Sequence, residues 1–140
     1  MDMLDPIPRV GRLAITGYPR TGKTTLAERL RVEWGVPVYH TDDFKELPWS
    51  DSSLKASLWF NRPSPWIIEG VTVPRALRKW IKRHQQASPS EQVPPLPVDK
   101  ILVLTSPRMT LTSGQQNMGK GVIDIIDQLE PWLEDRVIYL

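Results

Sequence analysis

Gly17-Tyr18-Pro19-Arg20-Thr21-Gly22-Lys23-Thr24 is the stretch that decides the fold. It reads G-x-x-x-x-G-K-T, and each fixed position answers a demand of gripping a phosphate chain. The glycines let backbone N–H groups turn inward as an anion nest. Lys23 supplies a point charge, and the Thr24 hydroxyl can hold Mg²⁺. A helix that starts here presents its positive end to the anion. The context agrees. Arg12-Leu13-Ala14-Ile15-Thr16 enters the loop as a short apolar strand, and Thr24 to Trp34 leaves it with Leu26, Ala27, Leu30 and Trp34 at helical spacing. The competing reading is a Gly-rich strand-to-helix turn that binds nothing. A dinucleotide site is disfavoured, because no G-x-G-x-x-G is present.

Working outward, four more apolar segments read as strands: Val36 to Thr41, Trp66 to Glu69, Lys100 to Leu104 and Arg136 to Leu140, with the first strand at Leu13 to Thr16. Continuous apolar runs suit strands covered on both faces, as in a parallel sheet. Helical patterns lie between them. Ser52 to Phe60 opens on a serine cap, Val73 to Gln86 carries Ala76, Leu77, Trp80 and Ile81 on one stripe, and Lys120 to Leu133 carries Val122, Ile125, Ile126 and Leu129. The alternation predicts an α/β doubly wound fold, three layers with a five-stranded, mainly parallel sheet.

Length and composition bound the rest. The 140 residues suit a single nucleotide-binding domain, with residues 1–9 a tail and 87–97 an exposed Pro/Ser-rich connection. Net charge is +2, so nucleic-acid binding is not suggested. There is no cysteine, which removes disulfide frameworks and thiolate metal sites. The start, with Asp2, Asp5 and two prolines, does not read as a signal peptide, and no apolar run nears the ~20 residues a bilayer requires. A cytoplasmic protein with no membrane partner is the expectation. The tryptophans, including Trp49, Trp59 and Trp66, read as packing residues. Oligomeric state is open.

The carboxylates add chemistry to the loop. Asp42-Asp43-Phe44 follows the second strand directly. In open parallel sheets the strand C-terminal ends line the ligand crevice, and the first of these ends carries the phosphate loop. Asp42 or Asp43 can there orient an acceptor hydroxyl, take its proton, or hold Mg²⁺ through water. The alternative is an Asx turn or helix cap. Glu69 ends the third strand on the same rim, where it can orient the water shell of Mg²⁺. Arg75 and Arg78 begin a basic face that is either solvated or reaches an anionic substrate. His40, alone two residues before the acid pair, reads as structural.

Three elements thus coincide in order and spacing: the G-x-x-x-x-G-K-T-T loop, "HTDDF" after the second strand and "WIIEG" ending the third. Together they resemble the small P-loop kinases of nucleosides, nucleotides and other metabolites, the adenylate kinase and shikimate kinase relatives. The chain also looks like short P-loop proteins encoded by bacteriophages. The resemblance covers most of residues 10–107 and implies a strand order of 2-3-1-4-5. It implies ATP and Mg²⁺ held by the loop, Gly17, Tyr18, Pro19, Arg20, Thr21, Gly22, Lys23, Thr24 and Thr25, with Lys23 neutralising charge during transfer. Asp42 or Asp43 would face the acceptor, and Thr24, Glu69 (through water) and Asp42 would serve the metal. Arg75 and Arg78 stand where such kinases place acceptor-binding arginines.

One departure stands out. The resemblance implies an arginine-rich lid after the fourth strand, yet residues 107–121 contain a single arginine, Arg108, and a single lysine, Lys120. Lys120, between Gly119 and Gly121, reads as a flexible, positive helix start over the phosphates, a reduced lid, or as an ordinary solvated one. The sequence ends at Leu140, where such kinases often continue into a nucleobase loop, so base preference is open. The expectation is an ATP-dependent phosphotransferase that moves the γ-phosphoryl group to a nucleoside, nucleotide or similar metabolite. The alternatives are a nucleotide-binding regulator with weak or no ATPase activity and a toxin-like kinase.

Overall fold

The computed structural model describes residues 7, 9–44, 46–87 and 96–140. Most of the expected tail, 1–9, and of the expected Pro/Ser-rich connection, 87–97, lies outside the described residues. Five parallel strands form one sheet: β1 (Arg12–Gly17), β2 (Val38–His40), β3 (Trp66–Glu69), β4 (Lys100–Leu104) and β5 (Val137–Tyr139). Their order is β2-β3-β1-β4-β5, as the sequence resemblance implied. The helices are α1 (Lys23–Trp34), α2 (Trp49–Ser57), α3 (Val73–Ala87) and α4 (Ser113–Leu133).

Both sheet faces are covered, which is why the strands read as unbroken apolar runs. On one face Leu26, Ala27 and Leu30 of α1 pack on Leu13, Ile15, Ile67 and Leu102. On the other, Ala76, Leu77 and Trp80 of α3 and Ile125, Ile126 and Leu129 of α4 pack on Ala14, Ile68, Ile101 and Val103. The result is a three-layer α/β/α sandwich. Trp66 and Trp59 are buried, in keeping with their reading as packing residues. Among the described residues no helix is long and apolar enough to cross a membrane.

Three elements depart most from the sequence reading, the others shifting by at most a residue at an end. β2 is shorter than Val36 to Thr41. Pro37 has no N–H for the ladder and only offers its carbonyl to Ile67 N at 2.9 Å, while Thr41 turns into a 3-10 turn, Thr41–Phe44. α2 starts at Trp49 behind Pro48, so Ser52 is a buried interior residue and not a cap. α4 starts at Ser113, two turns before Lys120. Thr112 and Gln115 form a reciprocal capping box, with Gln115 N donating to Thr112 Oγ1 at 3.1 Å and Thr112 N to Gln115 Oε1 at 3.0 Å. Gly114, Gly119 and Gly121 weaken intrinsic helix propensity here, and tertiary packing overrides them.

Asp99 ties the starts of β4 and β1 together. Arg12 donates to it from its backbone N and from Nη2, both at 2.9 Å. Burial raises the Asp99 carboxyl, but the Arg12 bonds and charge outweigh it and hold it below 3.8. A depressed folded-state value means the stabilisation is present above the unfolded pKa and is lost as pH falls through the folded one. The pair is part-exposed, so solvent screening keeps its value under about 1 kcal/mol. Asp99→Asn should therefore lower Tm slightly at neutral pH. Thermal melts should show the gap closing as pH falls below the ordinary carboxylate range; a gap constant with pH would refute the assignment.

Candidate functional site

The loop after β1 is fixed from both sides. Tyr18 N donates to Leu104 O of β4 at 3.0 Å, and Arg108 N donates to Arg20 O at 2.8 Å. Inside it, Thr21 Oγ1 and Lys23 Nζ both donate to Tyr18 O, at 2.8 and 2.7 Å. Arg20 sits at φ 60°, left-handed without being glycine, a conformation that costs of order 1 kcal/mol. α1 begins at Lys23 with Gly22 as its N-cap, and no side chain caps it. Its first N–H groups thus have no side-chain cap.

A cleft of about 350 Å³ opens on this loop. Pro19, Arg20, Gly22, Lys23, Thr24 and Thr25 line one side. Asp42, Glu69, Gly70 and Val71, from the carboxyl ends of β2 and β3, line the other, with Gln115 and Met118 of α4 above. Lys23 is 9% exposed. Burial lowers its pKa, against the opposing pull of Glu69 and Asp42. Glu69 is 2% exposed and satisfied by two donors on one oxygen: Thr24 Oγ1 at 3.2 Å and His40 Nδ1 at 2.6 Å. His40 and Glu69 are register partners on β2 and β3. Burial lowers the His40 pKa, but the Glu69 bond and charge, with Glu28 and Asp43, raise it on balance. His40 thus belongs to the acid cluster.

The other expected residues divide. Asp42 lines the cleft and Asp43, also exposed, does not. Arg75 and Arg78 do not line it either. Arg78 Nη1 donates to Gln128 Oε1 of α4 at 3.2 Å, and Arg75 Nη2 lies 3.9 Å from where a side chain on Gly121 would begin. Lys120 is exposed inside α4, not at a flexible helix start, so the reduced lid expected over 107–121 is replaced by helix from Ser113 onward. Two contacts stand in its place. The Arg108 guanidinium lies over Gly22, with Cζ 2.9 Å from where a Cβ there would sit. The Tyr18 ring packs on Gly119, where any Cβ would overlap it. Gly119, which blurred the helix in the sequence, is the residue that lets α4 seat against the loop.

Hard oxygen donors and phosphate suit Mg²⁺. Thr24 and Glu69, joined by a 3.2 Å hydrogen bond, and Asp42 supply them in the same cleft, so the residues present fit that ion. Among the described residues no group of three or more His, Cys, Asp or Glu could hold a metal alone.

The glycine loop, the parallel sheet in the order β2-β3-β1-β4-β5 and helices on both faces define the architecture. The fold is a P-loop α/β fold. No protein-family profile matches the chain, and no curated protein does. Among solved structures it is similar to a gluconokinase from Sinorhizobium meliloti 1021, at 13% identity over 93% of this chain and 81% of that one, TM-score 0.49. It is also similar to the shikimate kinase from Bacteroides thetaiotaomicron, at 13% identity over 92% and 84%, TM-score 0.46. At such identity the likeness is one of fold outline alone.

Proposed function

We propose that this chain binds ATP with Mg²⁺ in the loop and transfers the γ-phosphoryl group to a hydroxyl of a small-molecule acceptor. The observation that supports this best is the meeting of Lys23, Thr24, Glu69 and Asp42 across one cleft. The loop N–H groups and the start of α1 would cradle the phosphates, and Lys23 would neutralise charge on the β- and γ-phosphates. Thr24 and Glu69 would orient the ion and its waters, which lower the charge on the transferring group. Asp42 would align the acceptor hydroxyl. Its oxygen bonds to the γ-phosphorus, the bond to the bridging oxygen of ADP breaks, and the hydroxyl proton passes to Asp42. Arg108, over Gly22, is placed to meet negative charge from above.

Asp42→Asn is the test. Mg-ATP affinity, measured by calorimetry, should stay within about threefold, while transfer to an acceptor should fall ~10²–10⁴-fold. An equal loss of both would reassign Asp42 to the metal. A nucleotide-binding protein without transfer is the second reading. Its support is that 107–121 carries one arginine and that 113–121 is helix. ATP binding with no product from any acceptor would favour it.

A further inference from the structure

The two sides of the cleft differ in charge. Among the described residues the cations lining it are Arg20 and Lys23, and both belong to the phosphate loop. The lining outside the loop carries two carboxylates, Asp42 and Glu69, beside an amide at Gln115 and apolar surface from Val71 and Met118. Gln115 Oε1 is already occupied by Thr112 N, which leaves its NH₂ as the donor end. Arg75 and Arg78, the residues suited to a phosphate or carboxylate, instead lie along α4 at Gly121 and Gln128. Thr41 adds an independent observation. Thr41 is 3% exposed, and its hydroxyl lies against Gly70, behind the cleft lining, with no hydrogen-bond partner among the described residues. A buried hydroxyl of this kind lacks a polar partner.

We propose that the acceptor is a non-anionic polyhydroxy compound with one apolar face, an uncharged or amine-bearing one, and that phosphate- and carboxylate-bearing acceptors are discriminated against. The inference rests on the phosphotransferase reading above and narrows it. The acceptor's hydroxyl edge meets Asp42, and its apolar face lies on Val71 and Met118. An anionic group there would stand beside Asp42 and the γ-phosphate, and among the described residues lining the cleft no cation outside the phosphate loop would meet it. Like charges so placed are strongly disfavoured.

The experiment uses the purified full chain with Mg-ATP and matched acceptor pairs: adenosine and AMP, ribose and ribose 5-phosphate, glucitol and gluconate. ADP release and product mass are read for each. The uncharged member of each reacting pair should be favoured by about tenfold or more in kcat/KM. A faster anionic member, or equal rates, overturns the inference and leaves the phosphotransferase reading intact. No product from any pair, with Mg-ATP binding still measurable, overturns that reading and this inference with it. Val71→Arg supplies a second arm. A cation on the acceptor wall should move the ratio about tenfold towards the anionic member; an unmoved ratio would show that the acceptor does not sit there.

Discussion

Lys23→Ala should weaken Mg-ATP binding by about 2–5 kcal/mol, a loss of roughly thirtyfold or more. The physical reason is position and burial together. Lys23 is 9% exposed, so its ammonium acts in a medium far less screening than water. Nζ is held at 2.7 Å by Tyr18 O, inside the ring of backbone that would enclose a phosphate. Burial depresses its pKa, while Glu69 and Asp42 favour the charged form. The substitution removes that positive charge and leaves the two carboxylates facing incoming phosphate uncompensated. Folding should respond much less. The variant loses one hydrogen bond, worth about 1 kcal/mol net, and also loses the cost of a buried charge. Calorimetry for Mg-ATP, beside a thermal melt without nucleotide, separates the two effects. A binding loss matched by a collapse of the melt would mean misfolding. Unchanged affinity in a folded variant would refute the assignment of the loop.

Much of this was legible in the sequence, for identifiable reasons. The loop, its flanking strand and α1 are local, so their periodicity and spacing were sufficient. β3 and β4 were bounded to the residue, because Gly70 and Ser106-Pro107 close apolar runs sharply. What failed depended on tertiary partners. The sequence reading starts α4 at Lys120 because Gly114 and Gly119 depress helix propensity before it, yet Gly119 is needed where the Tyr18 ring packs. His40 read as isolated, because its partner Glu69 is 29 residues away. Only the pairing of β2 with β3 sets them side by side, and strand order came from the resemblance, not from spacing. Asp42 and Asp43 were indistinguishable in a linear reading. The 3-10 turn after β2 separates them, and only Asp42 reaches the cleft. Arg75 and Arg78 followed the same pattern. Their neighbours Ala76 and Leu77 pack into the core, and this fixes the helical phase that carries the arginines along α4.

Gly17→Ala should be the most damaging single-methyl change in the loop, and it separates architecture from chemistry. Gly17 closes β1 at φ 138°, a region that L side chains rarely adopt. The strain of forcing alanine there is of order 1–3 kcal/mol. Space makes it worse. A Cβ would run into the carbonyl and amide of Leu104, backbone atoms of the neighbouring strand β4, whose carbonyl also receives Tyr18 N at 3.0 Å. A flexible side chain could swing aside, as the Tyr18 ring could from a methyl on Gly119. A strand in mid-sheet cannot. Relief would require β1 and β4 to separate where the loop is anchored, so the total should exceed about 3 kcal/mol, a large share of a typical 5–15 kcal/mol. Gly35 is the control, with φ 65° at the end of α1 and open space around it. Gly35→Ala meets only backbone strain, of order 1 kcal/mol. At ~2–8 °C per kcal/mol, Gly17→Ala should lower Tm by more than about 10 °C, or prevent folding, and Gly35→Ala by a few degrees. Similar shifts for the two variants would show that φ alone decides, and that the close approach of Leu104 does not shape the loop.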